Sequence, residues 1–467
     1  MGLLDRLRRG AEIAAPVSRV AVIGLDGVGV PLVRDLTARG LMPNLAKLLA
    51  GGTVAPMRSS IPVISSVSWT SFMTGRNPGK HGVYGFTDVK PGTFTMFFPN
   101  FGNVRGDTLW DVAGRAGKRS IVLNVPNTYP ARPLEGLLVS GFVAVNLERA
   151  VFPASLLPRL QAEDYRIDVD YLNADQRPEP FFDDLAATLE ARRRVYLALL
   201  REEPWDLFIG VVTECDRLHH YFWHQYADAT APHHRRFLDF YCRLDDVLGA
   251  LVSALPAGTV LFVVADHGHT LIHREFYPNV WLREQGLLAL KAEKPKGLAD
   301  VDPTTKVFTL DPGRIYVHRQ GRFPLGSVGS AEADDLLGRV REGLLALRDD
   351  GPGRAADGRP VPRIFARDEI YRGPCVESAP DLVLDFADGY DPKGAFGRTE
   401  LFGRSALTGM HTYADALFFV NRRDVPTDGL DITDVGPTIL AALGIDPPAD
   451  MDGRVRLPRE QTPAAPV

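Results

Sequence analysis

Three short apolar runs dictate most of what this chain can become. Residues 20–25 (VAVIGL), 206–212 (DLFIGVV) and 259–265 (TVLFVVA) are each one strand long and hydrophobic at consecutive rather than alternate positions. Such runs read as strands covered on both faces. Each stops at acidic residues: Asp26-Gly27, Thr213-Glu214-Cys215-Asp216 and Asp266-His267-Gly268. Residues 181–200 and 235–255 carry helical spacing and feed the second and third runs, with Arg192, Arg193 and Arg194 expected on the wet side of the first helix. Alternating helices and apolar strands argue an α/β class, a mainly parallel central sheet flanked by helices. Parallel strands share their carboxyl ends, so acids placed there meet along one edge.

The remaining pattern divides the chain. Residues 1–18 read as an N-terminal tail and 19–271 as the first part of a catalytic core. From 272 to 407 the regularity weakens to an inserted smaller α+β lobe, with a helix at 331–347 and a strand at 381–385. Residues 408–457 return to the core through a strand at 416–420 and a helix at 432–443, and the Pro-rich segment 458–467 reads as a disordered tail. A fraction of 45% hydrophobic residues over 467 positions suits a large soluble core. A net charge of −5 argues against a nucleic-acid-coating surface. Leu3, Leu4 and Leu7 among Arg6, Arg8 and Arg9 are too few and too polar for a signal peptide or membrane span, so a solvated tail and a cytoplasmic location are expected. Cys215, Cys242 and Cys375 lack CxxC spacing, which points to neither a disulfide framework nor a thiolate zinc site.

The chemistry-bearing stretch is residues 61–85, IPVISSVSWTSFMTGRNPGKHGVYG. Ser65, Ser66 and Ser68 stand before a short apolar run, where a serine is either a helix N-cap or a nucleophile aimed at a bound phosphate. Asp216 and His220 share a face if their segment is helical. His411 falls in a glycine-containing turn, GMHTY, before a late strand. Asp/His sets of this kind are caps and satisfied core groups, or they bind zinc, manganese or iron, two sets suiting a pair of ions about 3.5–4 Å apart.

Seven segments occur in one order: GLDG at Asp26, MPNLAKLLAGG, SSVSWTSFMTG with NPG and HG, DRLHH, ADHG, GMH, and DVGPTILAALGI with DMDG. In these the chain resembles the alkaline phosphatase superfamily, in its type I phosphodiesterase/nucleotide pyrophosphatase-like branch. The lobe matches poorly apart from YRGP and APDLVL. The resemblance implies a hydrolase of phosphoric esters working with two divalent metal ions, zinc first and manganese or iron as alternatives. Its substrate would be a small-molecule phosphoester such as a nucleotide, with a phosphomonoesterase or a phosphotransferase/mutase as alternative activities. It implies one metal site at Asp26, Asp266 and His267, which also takes the nucleophile's oxygen, and another at Asp216, His220 and His411. The nucleophile falls on Ser65, with Ser66 one residue away. Ser68 stands where many relatives carry an Asn that holds a phosphate oxygen, and Trp69 is a candidate for stacking on substrate. Sulfatase activity is disfavoured, since Ser65 and Ser66 lack the following x-Pro-x-Arg. His219 is expected as a supporting or surface residue, His81 as a turn or packing residue, and His269 and His273 as lining a loop.

Overall fold

A computed structural model of the chain describes residues 19–352, 354 and 357–457. The leucine- and arginine-containing segment 3–9 and the tail 458–467 lie outside the described residues.

The strands of the central sheet are β1 (Val20–Leu25), β2 (Thr53–Met57), β3 (Ser120–Leu123), β4 (Gly136–Val139), β5 (Val151–Phe152), β6 (Leu207–Val212) and β7 (Val260–Val264). Two late additions are β8 (Gly268–Leu271) with β9 (Gly409–Thr412), which form a separate pair, and β10 (Ala416–Val420), which joins the sheet. The order across its eight strands is β2-β10-β7-β1-β6-β3-β4-β5. Neighbours from β7 to β4 run parallel, and the additions at both edges run antiparallel. The apolar runs explain this placement. Every residue of β1, β6 and β7 is buried, and each large side chain so enclosed contributes ~1.5–3 kcal/mol. Such strands are stable only in the middle, under helices.

Of these helices, four bear on the site: α1 (Ser65–Thr74), α2 (Pro178–Glu202), α3 (Glu214–Ala227) and α4 (His234–Ala254). The expected wet face of α2 needs correcting. Arg193 and Arg194 do pair with surface acids, but Arg192 is buried and binds Glu214 at 2.7 Å. Helix α2 therefore presents Arg192 to the start of α3 rather than to water.

Residues 276–396 supply a second apolar core, built on Phe276, Phe308, Ile315, Val340 and Tyr390. Its four-stranded antiparallel sheet runs Val307–Leu310, Arg314–Val317, Leu382–Asp385, Arg363–Ala366. Helix Ser330–Ala346 covers it with Ala333, Leu336, Val340 and Leu344, a three-to-four-residue stripe. No described helix is long and apolar enough to cross a membrane.

Candidate active site

The sheet's register brings the acids together. β1 lies directly between β6 and β7, with Leu25 opposite Val212 and Gly24 opposite Val264. Asp26, the residue after β1, donates its N–H to Val212 O, so its carboxylate stands just past the end of the ladder. Asp266 follows β7 and accepts the Gly27 N–H at 3.1 Å. Asp216 occupies the first turn of α3, and His220 one turn later brings Nε2 to 3.3 Å from its Oδ1. His267 links β7 to β8. His411 lies on β9, a strand where the sequence suggests a turn, because residues 409–412 pair antiparallel with β8. All six residues carried over from the resemblance thus meet at one rim.

Hydrogen bonds assign the imidazole tautomers. The Nδ1 atoms of His220, His267, His269 and His411 lie 2.9–3.1 Å from the carbonyl oxygens of Gly409, Gly268, Gly27 and Val63. A carbonyl only accepts, so each Nδ1 carries the proton and each Nε2 keeps its lone pair. Those lone pairs point inward. His220 Nε2 and His411 Nε2 are 3.0 Å apart with no proton between them. Asp216 Oδ1 sits 3.3–3.5 Å from Nε2 of His220, His269 and His411. Asp216 Oδ1, Asp266 Oδ2 and His269 Nε2 are buried without a hydrogen-bond partner. Lone pairs facing lone pairs in a buried pocket repel, and a divalent cation removes the repulsion. The donor atoms of Asp216, His220, His269 and His411 lie within 4.8 Å of one another, as do those of Asp26, Asp216 and His267. Both sets fit a divalent metal, and Asp216 belongs to each.

Burial raises Asp26 well above the usual carboxylate range, and the charges of Asp266 and Asp216 push it further. Burial likewise pushes Asp266 up to about 7, against the Gly27 N–H that favours its ionised form. Burial lowers His267 and His269, keeping both imidazoles neutral. Closely spaced buried acids beside neutral imidazoles are the signature of a cation site.

Ser65 is the first residue of α1, preceded by Ile64, whose side chain cannot cap the helix. Ser65 is therefore not the cap, and its Oγ lies 3.2 Å from Asp26 Oδ1 and 3.1 Å from His267 Nε2. It forms part of the wall of a cavity of about 720 Å³ that also reaches Asp216, His220 and His411. Ser66, Ser68 and Trp69 are not on that wall. Ser66 Oγ is buried without a partner, and Ser68 Oγ is held by Ser59 at 2.9 Å and Ser60 at 2.7 Å. Trp69, a candidate for stacking on substrate, is wholly buried and donates its Nε1–H to Asp26 Oδ2 at 2.9 Å. The absent side chain of Gly24 makes room for it, since a Cβ there would meet the Trp69 ring at 2.6 Å. Trp69 orients a carboxylate instead of touching a ligand.

Each cation on the cavity wall is already paired. Arg217 binds Asp168 at 2.7 Å, Arg363 binds Asp385 at 2.9 Å, and Lys393 binds Asp391 at 2.7 Å. Phe86, Phe142, Tyr171 and Phe386 line the same space. Away from the wall, Arg76 is buried and pairs with Asp450, and half-buried Lys80 pairs with Asp452.

His219 is buried and fully bonded, between Gly27 O and the Tyr241 hydroxyl. His269, expected only to line a loop, instead stands among the candidate metal donors. It lies two positions beyond His267 and directly across from His411 in the β8–β9 register, a signal visible only once that pairing is known.

The family described as type I phosphodiesterase / nucleotide pyrophosphatase matches residues 20–414. No curated protein matches the sequence. Among solved structures, phosphonoacetate hydrolase from Sinorhizobium meliloti 1021, in complex with phosphonoacetate, superposes with a TM-score of 0.62 at 19% identity, covering 92% of this chain and 96% of that one. Human ectonucleotide pyrophosphatase/phosphodiesterase 5 superposes with a TM-score of 0.53 at 12% identity, over the same shares. At these identities the likeness is one of fold.

Proposed function

The chain belongs to the type I phosphodiesterase/nucleotide pyrophosphatase family, within the alkaline phosphatase superfamily of metal-dependent phosphoester hydrolases, and from that premise we propose a two-cation phosphodiesterase with Ser65 as nucleophile. The observation that carries the proposal is the position of Ser65 Oγ. It is at the head of a ten-residue helix, on the cavity wall, within 3.2 Å of Asp26 and His267.

In this reading Asp26, Asp266 and His267 hold one ion beside Ser65, and Asp216, His220 and His411 hold the other. Bound there, divalent cations lower the pKa of a coordinated hydroxyl and neutralise charge on phosphoryl and leaving oxygens. Trp69 and the Gly27 N–H fix the carboxylates of Asp26 and Asp266, so that the donor set does not reorganise during turnover. Ser65 Oγ attacks phosphorus as the bond to the leaving ester oxygen breaks, giving a phosphoserine that water then cleaves. The N-terminal N–H groups of α1 face the phosphoryl oxygens as they gain charge.

Preference for a diester over a monoester rests on the cavity wall. A monoester dianion gains from free positive charge, and Arg217, Arg363 and Lys393 are each engaged by a carboxylate. A second ester group finds aromatic walls in Phe86, Phe142, Tyr171 and Phe386, which would also accept a nucleotide base. Imidazole-rich donors favour zinc over magnesium or calcium.

The test compares bis-p-nitrophenyl phosphate, p-nitrophenyl phosphate and a nucleotide pyrophosphate with wild type and Ser65→Ala, alongside metal content. We expect diester turnover to exceed monoester turnover. Ser65→Ala should lose at least ~10³-fold in kcat while its metal content stays the same. Full activity in Ser65→Ala removes the nucleophile assignment, and faster monoester hydrolysis removes the diester preference.

A further inference from the structure

Two imidazoles meet the same backbone carbonyl with different outcomes. His219 Nδ1 and His269 Nδ1 each lie 3.1 Å from Gly27 O. A Cβ on Gly27 would come within 2.7 Å of the His269 ring, so the approach depends on the glycine, whose φ of +75° also favours that residue. Beyond this shared anchor the two rings differ. The Tyr241 hydroxyl donates to His219 Nε2, which leaves that ring no lone pair to offer. His269 Nε2 has no hydrogen-bond partner, its side chain is 0% exposed, and it faces Asp216 Oδ1 at 3.5 Å. Its ring stands 5.0 Å from that of His220 and 5.1 Å from that of His411, and Trp223 backs it at 5.8 Å. A wholly buried lone pair with no donor, aimed at a carboxylate oxygen, costs free energy unless a cation lies between them.

We infer that His269 is a fourth protein ligand of the cation held by Asp216, His220 and His411, making an Asp-His₃ position. The inference rests on the two-cation reading above. It makes the two positions unequal. Three neutral imidazoles and one carboxylate form a borderline donor set that selects zinc, cobalt or nickel over magnesium, manganese or calcium. The position at Asp26, Asp266 and His267, with the Ser65 hydroxyl, is richer in oxygen and takes a harder ion more readily. As nickel, cobalt or zinc is titrated into the metal-free protein, the first equivalent enters the histidine-rich position.

The test measures metal, not turnover. Wild type, His269→Ala and His269→Cys are equilibrated in zinc buffers, and metal is counted by mass spectrometry. Each is then loaded with one equivalent of cobalt for absorption spectroscopy. Wild type should hold two equivalents, and His269→Ala should hold the tighter one more than roughly 100-fold more weakly, beyond the cost of losing an outer partner. His269→Cys should show a near-ultraviolet sulfur-to-cobalt charge-transfer band absent from wild type, a readout that a supporting role would not produce. Unchanged zinc affinity in His269→Ala, or no such band in a folded His269→Cys, overturns the ligand assignment and leaves the two-cation reading standing. A wild type that binds no metal overturns both.

Discussion

His81 shows what one buried ring does to acid stability. It is wholly buried, its Nδ1 accepts the Val83 N–H at 3.2 Å, and its Nε2–H reaches Ser71 Oγ at 3.0 Å. Burial, with the Arg76 charge adding to it, lowers its pKa from 6.5 to about 3. A depressed histidine pKa means the unfolded chain binds the proton more tightly, so stability from this site is complete above pH 6.5 and drains away as pH falls toward 3. Between pH 7 and pH 5 that amounts to about 2 kcal/mol. The urea midpoint of His81→Gln should therefore fall less over this interval than that of wild type, by about that free energy. Parallel midpoints would place the acid sensitivity elsewhere.

Among the elements, the contact of α2 with α3 controls where Asp216 stands. Glu214 and Asp216 share the first turn of α3, and the guanidinium of Arg192 on α2 binds Glu214, the Tyr165 hydroxyl and Ile167 O. With both partners 1% exposed, Arg192→Met leaves a buried carboxylate without its counter-ion and should cost about 3–5 kcal/mol by urea unfolding. Adding Glu214→Leu should recover most of that loss; if the single variant unfolds like wild type, the pair does not hold α3. The sequence shows three arginines in a row on a helix, but not which one the neighbouring helix covers, because that depends on packing angle. The same limit hid β8 and β9. Each is four residues long and their pairing spans more than a hundred positions, so no local periodicity reveals that His269 faces His411.

At the scale of the molecule, the parallel centre was legible because β1, β6 and β7 are apolar on both faces, and their carboxyl-end acids follow from direction alone. The second core was harder to read, since its strands are short and its sheets small. Cations held at the rim as proposed would bond only to the native state and so tie these parts together. At a free concentration one hundred times Kd each ion adds ~2.7 kcal/mol, so chelation should lower Tm and added zinc should restore it. A Tm indifferent to chelator would argue against tight metal in the fold. The placement of β10 has a further consequence, one of timing. It lies against β7 yet comes last in sequence, with His411 just ahead of it, so a chain still emerging from the ribosome presents Phe262, Val263 and Val264 along an uncovered, sticky border. On the proposed ligand set, ion capture at the histidine-rich position would wait until His411 has been made, and a nascent chain cut short before then lacks both that donor and a protected flank.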